Sequence, residues 1–188
     1  MRFDFAGDIV FSEDQISGRV RELAGQMTGY YVQAYEEGTP LTIVSVLKGG
    51  FVFLADLIRC MDLDIRVDFM AISSYRESTR SSGAVKIVKD LSQGIYRKHV
   101  LLVEDIVDTG LTLSYILRNL TSREPADIKV CTLLDRAVRR IAPLEIDFVG
   151  FQVGEDFLVG YGLDYHQQGR NMPYICRLES SFLHHISP

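Results

Sequence analysis

The 188-residue chain has no apolar run of 18 or more residues, no low-complexity tract and no linker-like stretch. Without such a run no transmembrane helix is expected. Asp4 and Asp8 stand where a signal peptide would need basic residues and a long apolar core, so none is expected. Cysteine is sparse. Cys60, Cys131 and Cys176 are odd in number, lack metal-type spacing and each lie in an apolar segment, the pattern of reduced core thiols in a cytoplasmic protein. Neither GxxxxGKS/T nor GxGxxG occurs, which excludes a P-loop and a dinucleotide fingerprint. The net charge of −5 argues against a broad nucleic-acid footprint. His99, His166, His184 and His185 form no metal-spaced pair with a carboxylate, and none is given a role. No internal repeat is visible.

What is present reads as one domain, residues 1–188, with 47% apolar residues, long enough to bury about 70% of its unfolded surface. Ser12-Glu-Asp-Gln15 has capping-box form. Ile16, Val20, Leu23, Met27, Tyr30 or Tyr31, and Ala34 follow at helical spacing until Gly38 and Pro40. LTIVSV (41–46) reads as a buried strand, 51–61 as a helix, and 65–75 as an alternating strand. A polar loop (76–85) follows, with 86–91 returning as a short hairpin strand. Strands at 100–104, 128–134 and 146–153, with a helix at about 111–122, complete a strand–helix alternation. That alternation predicts an α/β protein with a mostly parallel, twisted sheet flanked by helices.

In such sheets ligands gather beyond the carboxyl ends of the strands, often at a helix N-terminus. Three strand ends carry unusual residues: Leu47-Lys48-Gly49-Gly50, Glu104-Asp105 running on to Thr112, and Asp135-Arg136 with Arg139 and Arg140. They can lie side by side if their strands are neighbours. Thr109, Gly110 and Thr112 offer hydroxyls and close backbone approach where helix amides point outward, a cradle for a monophosphate. Glu104 and Asp105 cannot hold a phosphate themselves; they suit a ribose diol or a hydrated Mg²⁺. Asp108 lies between the two sets, placed for a proton or a further polar contact. Ordinary helix capping would need one acid here, not three.

VLLVEDIVDTGLT (100–112) resembles the ribose-phosphate signature of the type I phosphoribosyltransferases. VLKGGFVFLADL (46–57), VDFMAISSY (67–75), VEDIVDTG (103–110) and DFVGFQVGEDFLVGYGLDYHQQGRNMPYI (147–175) resemble, in order, the hypoxanthine-guanine members. The resemblance spans roughly residues 40–178. It implies transfer of the phosphoribosyl group of phosphoribosyl pyrophosphate (PRPP) to N9 of a 6-oxopurine, with Mg²⁺ as cofactor. It further implies a hood built from the N- and C-terminal segments, assembly as a homodimer or homotetramer, and neither nucleic-acid nor membrane partners. By the same likeness Glu104 and Asp105 hold the ribose hydroxyls, partly through Mg²⁺. Asp108, Thr109, Gly110, Leu111 and Thr112 hold the 5′-phosphate, and Asp108 also faces the purine N7 as general acid–base. Leu47, Lys48 and Gly49 form the pyrophosphate loop, where the family adopts a cis non-proline peptide, and Arg170 is its second contact. Phe157 stacks on the purine and the backbone at Leu158 reads its edge, while Asp164 supplies a second Mg²⁺ ligand. Ser74 and Tyr75 open a mobile lid at about 74–85. At Arg136 the sequence departs from the family pattern: CTLLDR stands where the family has a lysine that donates to the 6-oxo group.

Two other readings stay open from sequence. One is a xanthine-preferring phosphoribosyltransferase. The other is an RNA-binding regulator on the same fold, with Arg136, Arg139 and Arg140 as its seed.

Overall fold

The computed structural model describes residues 3–34, 40–74 and 85–185. Helix α1 (Glu13–Ala34) opens with the expected capping box: Ser12 N–H donates to Gln15 Oε1 (2.8 Å) and Gln15 N–H to Ser12 Oγ (3.3 Å). Its apolar stripe buries Ile16, Val20, Leu23, Met27 and, of the two tyrosines, Tyr31. The stop expected at Gly38 lies outside the described residues.

Strands β2 (Leu41–Leu47), β3 (Ile65–Ser74), β4 (Val85–Lys89), β5 (His99–Val107), β6 (Asp127–Asp135) and β7 (Phe148–Gln152) form one sheet in the order β4-β3-β2-β5-β6-β7. All neighbours run parallel except β4, which returns antiparallel to β3 as a hairpin. Helix α2 (Phe51–Cys60) joins β2 to β3, and α3 (Leu111–Thr121) joins β5 to β6. The central strands β2, β5 and β6 bury both faces, which explains their near-continuous apolar runs. Leu41, Ile43, Leu101, Val103, Cys131 and Leu133 pack on the α1/α2 side, whereas Val44, Val46, Val100, Leu102 and Val130 pack on α3. Arg19 of α1 closes the β7 edge by donating to the carbonyls of Val149 and Gly150, both at 2.8 Å. The expected hood is a second, three-stranded sheet of β1 (Ala6–Phe11), β9 (Ile175–Leu178) and β8 (Leu158–Val159), wrapped over Phe5, Tyr165, Met172 and Cys176.

Two expectations are corrected. Cys131 and Cys176 are buried, but Cys60 is exposed at the last turn of α2, whose inward face is taken by Phe53, Leu54 and Leu57. And β5 does not stop at Glu104: pairing continues to Val107↔Asp135, so the first two carboxylates sit within the strand. Of the expected lid, only its ends are described, as the backbone pair Ser74↔Val85 of the hairpin; Tyr75 and the rest of the loop lie outside the described residues.

Candidate active site

β2 lies between β3 and β5, so the chain reverses its direction of winding between β2 and β5. A crevice at the carboxyl ends of the strands is expected at that point. It is there, a cavity of about 270 Å³ lined by the β2–α2 loop, the end of β5 and the start of α3. The three strand ends singled out in the sequence follow β2, β5 and β6, which are direct neighbours.

The β2–α2 loop carries a cis peptide between Leu47 and Lys48. Gly49 packs onto β5 so closely that a Cβ there would lie 1.7 Å from Asp105 Oδ2 and 2.5 Å from Asp105 Cγ. Only glycine allows this approach. Lys48 Nζ donates to Gln167 Oε1 (3.3 Å), and Arg170 Nη2 reaches the same oxygen (3.3 Å). Arg170 also donates through Nη1 to the Gly162 carbonyl (2.7 Å) and pairs through Nη2 with Asp164 Oδ1 (2.6 Å). The hood segment 162–170 thereby joins the β2–α2 loop. Gln167 is the linking residue, and sequence reasoning missed it because a neutral amide in a polar stretch carries no signal of its own.

At the end of β5, Glu104 is 9% exposed and Asp105 is adjacent to it. Burial, and then the neighbouring Asp105 charge, push the Glu104 carboxyl well above its usual range. Burial also raises Asp105 to about 6, although backbone amides and Arg170 pull it down. Asp164 acts in the raising direction, so both Arg170 and Asp164 lie within electrostatic reach of Asp105. A buried carboxyl beside a half-buried one at the mouth of a cavity is a poor resting arrangement and a good cation site. Among the described residues, however, no three His, Cys, Asp or Glu side chains group as a metal site, so Glu104, Asp105 and Asp164 form no closed ligand set.

Asp108 turns the chain into α3. Its Oδ2 lies 3.4 Å from Arg136 Nη1 and 3.3 Å from Arg139 Nη1. Its Oδ1 is buried with no hydrogen-bond partner among the described residues. A buried, unsatisfied acceptor is uncommon away from functional sites. Gly110 is the N-cap of α3 at φ 78°, a left-handed conformation that suits glycine, and no side chain caps the helix. Leu111 N–H makes only a long bond to Thr109 Oγ1 (3.5 Å), and no further side-chain acceptor takes a first-turn amide among the described residues, as a phosphate cradle beside Thr109 and Thr112 requires. From behind, Arg140 holds the turn through the carbonyl of Asp108 (3.1 Å), while Thr109 O accepts from Ile141 and Ala142 N–H.

Arg140, not Arg136, pairs with Asp135, whose other oxygen accepts from Gln152 Nε2 (3.0 Å). Arg136 is 5% exposed and donates from Nε to the Gly154 carbonyl (2.9 Å) and from Nη2 to the Asp156 carbonyl (2.6 Å). Only Arg139 of the trio is strongly exposed, at 49%, and it too touches Asp108. Phe157 is half-buried, edge-on to Tyr165 at 6.5 Å between ring centroids. The Leu158 side chain points into the core, leaving only its main chain to meet a ligand; the ladder bond to β9 beside it runs from Leu178 N–H to the Phe157 carbonyl (2.8 Å).

Comparison with known proteins shows the family and the fold. A family model described as the phosphoribosyl transferase domain matches residues 12–166. A hypoxanthine-guanine phosphoribosyltransferase of Aquifex aeolicus is 46% identical over 171 residues, which are 91% of this chain and 94% of the relative. A crystal structure of the Bacillus anthracis hypoxanthine-guanine phosphoribosyltransferase, with a HEPES molecule in its active site, is 41% identical with a TM-score of 0.85, covering 93% of this chain and 99% of its own. The Trypanosoma cruzi hypoxanthine phosphoribosyl transferase, in a structure concerned with its C-terminal region and oligomeric state, is 37% identical with a TM-score of 0.90, covering 98% and 97%.

Proposed function

We propose that this chain, which belongs to the phosphoribosyl transferase family and stands among its hypoxanthine-guanine members, transfers the 5-phosphoribosyl group of PRPP to N9 of hypoxanthine or guanine, a purine salvage reaction yielding IMP or GMP and pyrophosphate. The observation that carries this reading is the meeting, at one crevice, of the Gly49 backbone, the Glu104–Asp105 carboxyls and the uncapped start of α3. A pyrophosphate, a ribose diol and a 5′-phosphate are the three parts of PRPP, and each has its complement there.

The 5′-phosphate binds the amides and hydroxyls of Asp108 to Thr112, aided by the positive end of α3. Glu104 and Asp105 take the ribose hydroxyls. The main chain of Leu47–Gly49, with Lys48 and Arg170, takes the pyrophosphate, to which a guanidinium is suited in shape and charge. As the C1′–O bond breaks, Lys48 and Arg170 meet the charge developing on the leaving group. The purine stacks on Phe157, and its N9 forms the new bond to C1′ while Asp108 receives the proton at N7. Arg136 offers a donor to the 6-oxo group, where adenine would present only donors.

Mg²⁺ fits the residues present: two adjacent carboxyls, one buried and one half-buried, that form no ion pair among the described residues, with Asp164 nearby. Glu104 and Asp105, and Asp164 on the hood side, would hold it, the remaining ligands coming from substrate oxygens and water, as is usual for this ion. When bound it neutralises charge on the pyrophosphate.

The whole chain, residues 1–188, acts as one domain with 74–85, including Ser74 and Tyr75, as its lid. A lid is required because a cationic ribosyl carbon must be kept from water. The enzyme assembles as a homodimer or homotetramer, and its three free cysteines suit a reducing, cytoplasmic compartment. The internal use of Arg136 and Arg140 leaves little of the arginine cluster for RNA.

The test is an activity screen with PRPP, Mg²⁺ and four purine bases. Hypoxanthine and guanine are converted, xanthine poorly and adenine not at all. Failure of all four would overturn the reading, and a preference for xanthine would overturn the base assignment.

A further inference from the structure

Arg136 is more heavily used by the protein than a residue that only reads the base needs to be. All three of its guanidinium nitrogens have partners: Nε on Gly154 O, Nη2 on Asp156 O and Nη1 facing Asp108 Oδ2. The two carbonyls belong to the connection between β7 and β8, which ends at Phe157. Gly154, Glu155 and Asp156 are exposed, and among the described residues no main-chain hydrogen bond holds them. The loop's ends are tied by Val153 N–H to the Asp135 carbonyl (2.9 Å) and by Leu178 N–H to the Phe157 carbonyl (2.8 Å); between them, two arginines hold it among the described residues. Arg177 of β9 holds the Asp156 carboxylate (2.8 Å), a surface pair of small expected worth. Arg136 holds the backbone from within, by charge-assisted bonds from a buried fork.

We infer that Arg136 is a positioning residue: it clamps the loop that presents Phe157 and ties it to Asp108, so that base recognition in this chain depends on a forked guanidinium and not on positive charge alone. The inference rests on the purine reading of the site and deepens it. A lysine keeps the charge but concentrates its donors at one point, which cannot span two carbonyls and Asp108 with the fixed fork of an arginine. Arg136→Lys therefore separates the two roles. If Arg136 serves only as a donor to the 6-oxo group, the lysine does as well; if it is a clamp, the lysine fails.

Two readouts are taken together on Arg136→Lys and Arg136→Ala, with thermal melting as the control for folding. The first, without substrate, is the rate of Glu-specific proteolysis after Glu155, identified by fragment mass. The second is the Michaelis constant for hypoxanthine beside that for PRPP. Losing the bridging bonds should speed cleavage and raise the base constant by about tenfold or more in both variants, with the PRPP constant within about twofold. If Arg136→Lys moves neither quantity, or only one of them, the clamp is overturned. Should the variants not fold, the wild-type protein still decides: the Arg136 Nε–H must exchange slowly in nuclear magnetic resonance, and exchange at the rate of a solvated arginine overturns the clamp. Proteolysis and exchange need no turnover, so an inactive wild-type enzyme would sink the functional reading and leave these results standing.

Discussion

Gly49→Ala is the substitution whose consequence follows most directly from distances. The added methyl would lie 1.7 Å from Asp105 Oδ2, 2.5 Å from Cγ and 2.9 Å from Oδ1, whereas real Cβ contacts stay beyond 3.0 Å. Turning the carboxyl about its own bond gives no relief, because Cγ itself is too close. Either Asp105 leaves its rotamer or the β2–α2 loop lifts, by at least 1.3 Å to bring Oδ2 to the contact limit. In both cases the proposed pyrophosphate loop and ribose carboxylate lose their relation. A misplacement of about 1 Å costs roughly 10²-fold in rate, so kcat/KM for PRPP should fall about 10²-fold or more. Overpacking costs about 1–3 kcal/mol, a Tm loss of several degrees for a chain this size, so the variant should remain folded at room temperature. Steady-state kinetics with varied PRPP, beside a melting curve, separates the effects. A folded Gly49→Ala enzyme within about threefold of wild type would refute the reasoning, since the loop and Asp105 would then tolerate separation.

Asp108→Asn should fold and bind PRPP normally while turnover drops about 10²–10⁴-fold, the usual scale for acid–base work; wild-type turnover would remove Asp108 from that role. Chelating Mg²⁺ should abolish activity, and full activity in excess chelator would dismiss the metal from the reaction. Burial raises Asp105 to about 6 and Glu104 in the same direction, so in the metal-free protein they bind protons more tightly folded than unfolded. That contribution is complete below about pH 4 and lost as pH rises through 6, amounting to about 3 kcal/mol for Asp105. Asp68, whose carboxyl is lowered by backbone amides, Ser92 and Lys89 against its own burial, works the other way but only in the acid range below the ordinary carboxylate value. Melting in chelator should therefore show a lower Tm at pH 7.5 than at pH 5.5, and a Tm that rises across this interval would count against the buried pair. Adenine should be rejected by about 10⁴ against hypoxanthine, and comparable kcat/KM values would show that no donor faces the 6-position.

Much of the fold lay open in the sequence because its signals are local. The capping box at Ser12–Gln15 and the apolar stripe after it need only the helical period. The buried strands announce themselves by unbroken apolar runs, since helices cover both sheet faces. The order of the strands was not legible: whether β5 pairs with β2 depends on contacts far apart in the chain, and the crevice exists only because it does. The carboxylates at 104 and 105 suggested a strand end, yet β6 keeps pairing with β5 to Val107 because the sheet beside them continues. Cys60 looked like a core thiol by its neighbours, but a one-turn register on α2 decides which side faces water. In the site, the charged residues were legible and their partners were not. Arg136 could have folded onto Asp135 or faced a ligand; only the path of the 154–156 loop gives its fork two carbonyls. Gln167, joining Lys48 to Arg170 across the hood, became visible only once the two segments were in contact.

The most direct measurement is the stoichiometry of products when the wild-type protein is incubated with hypoxanthine, PRPP and Mg²⁺. IMP and pyrophosphate should form in equal amounts, both dependent on the base. Pyrophosphate released without nucleotide, or no consumption of PRPP at all, would contradict the proposed reaction.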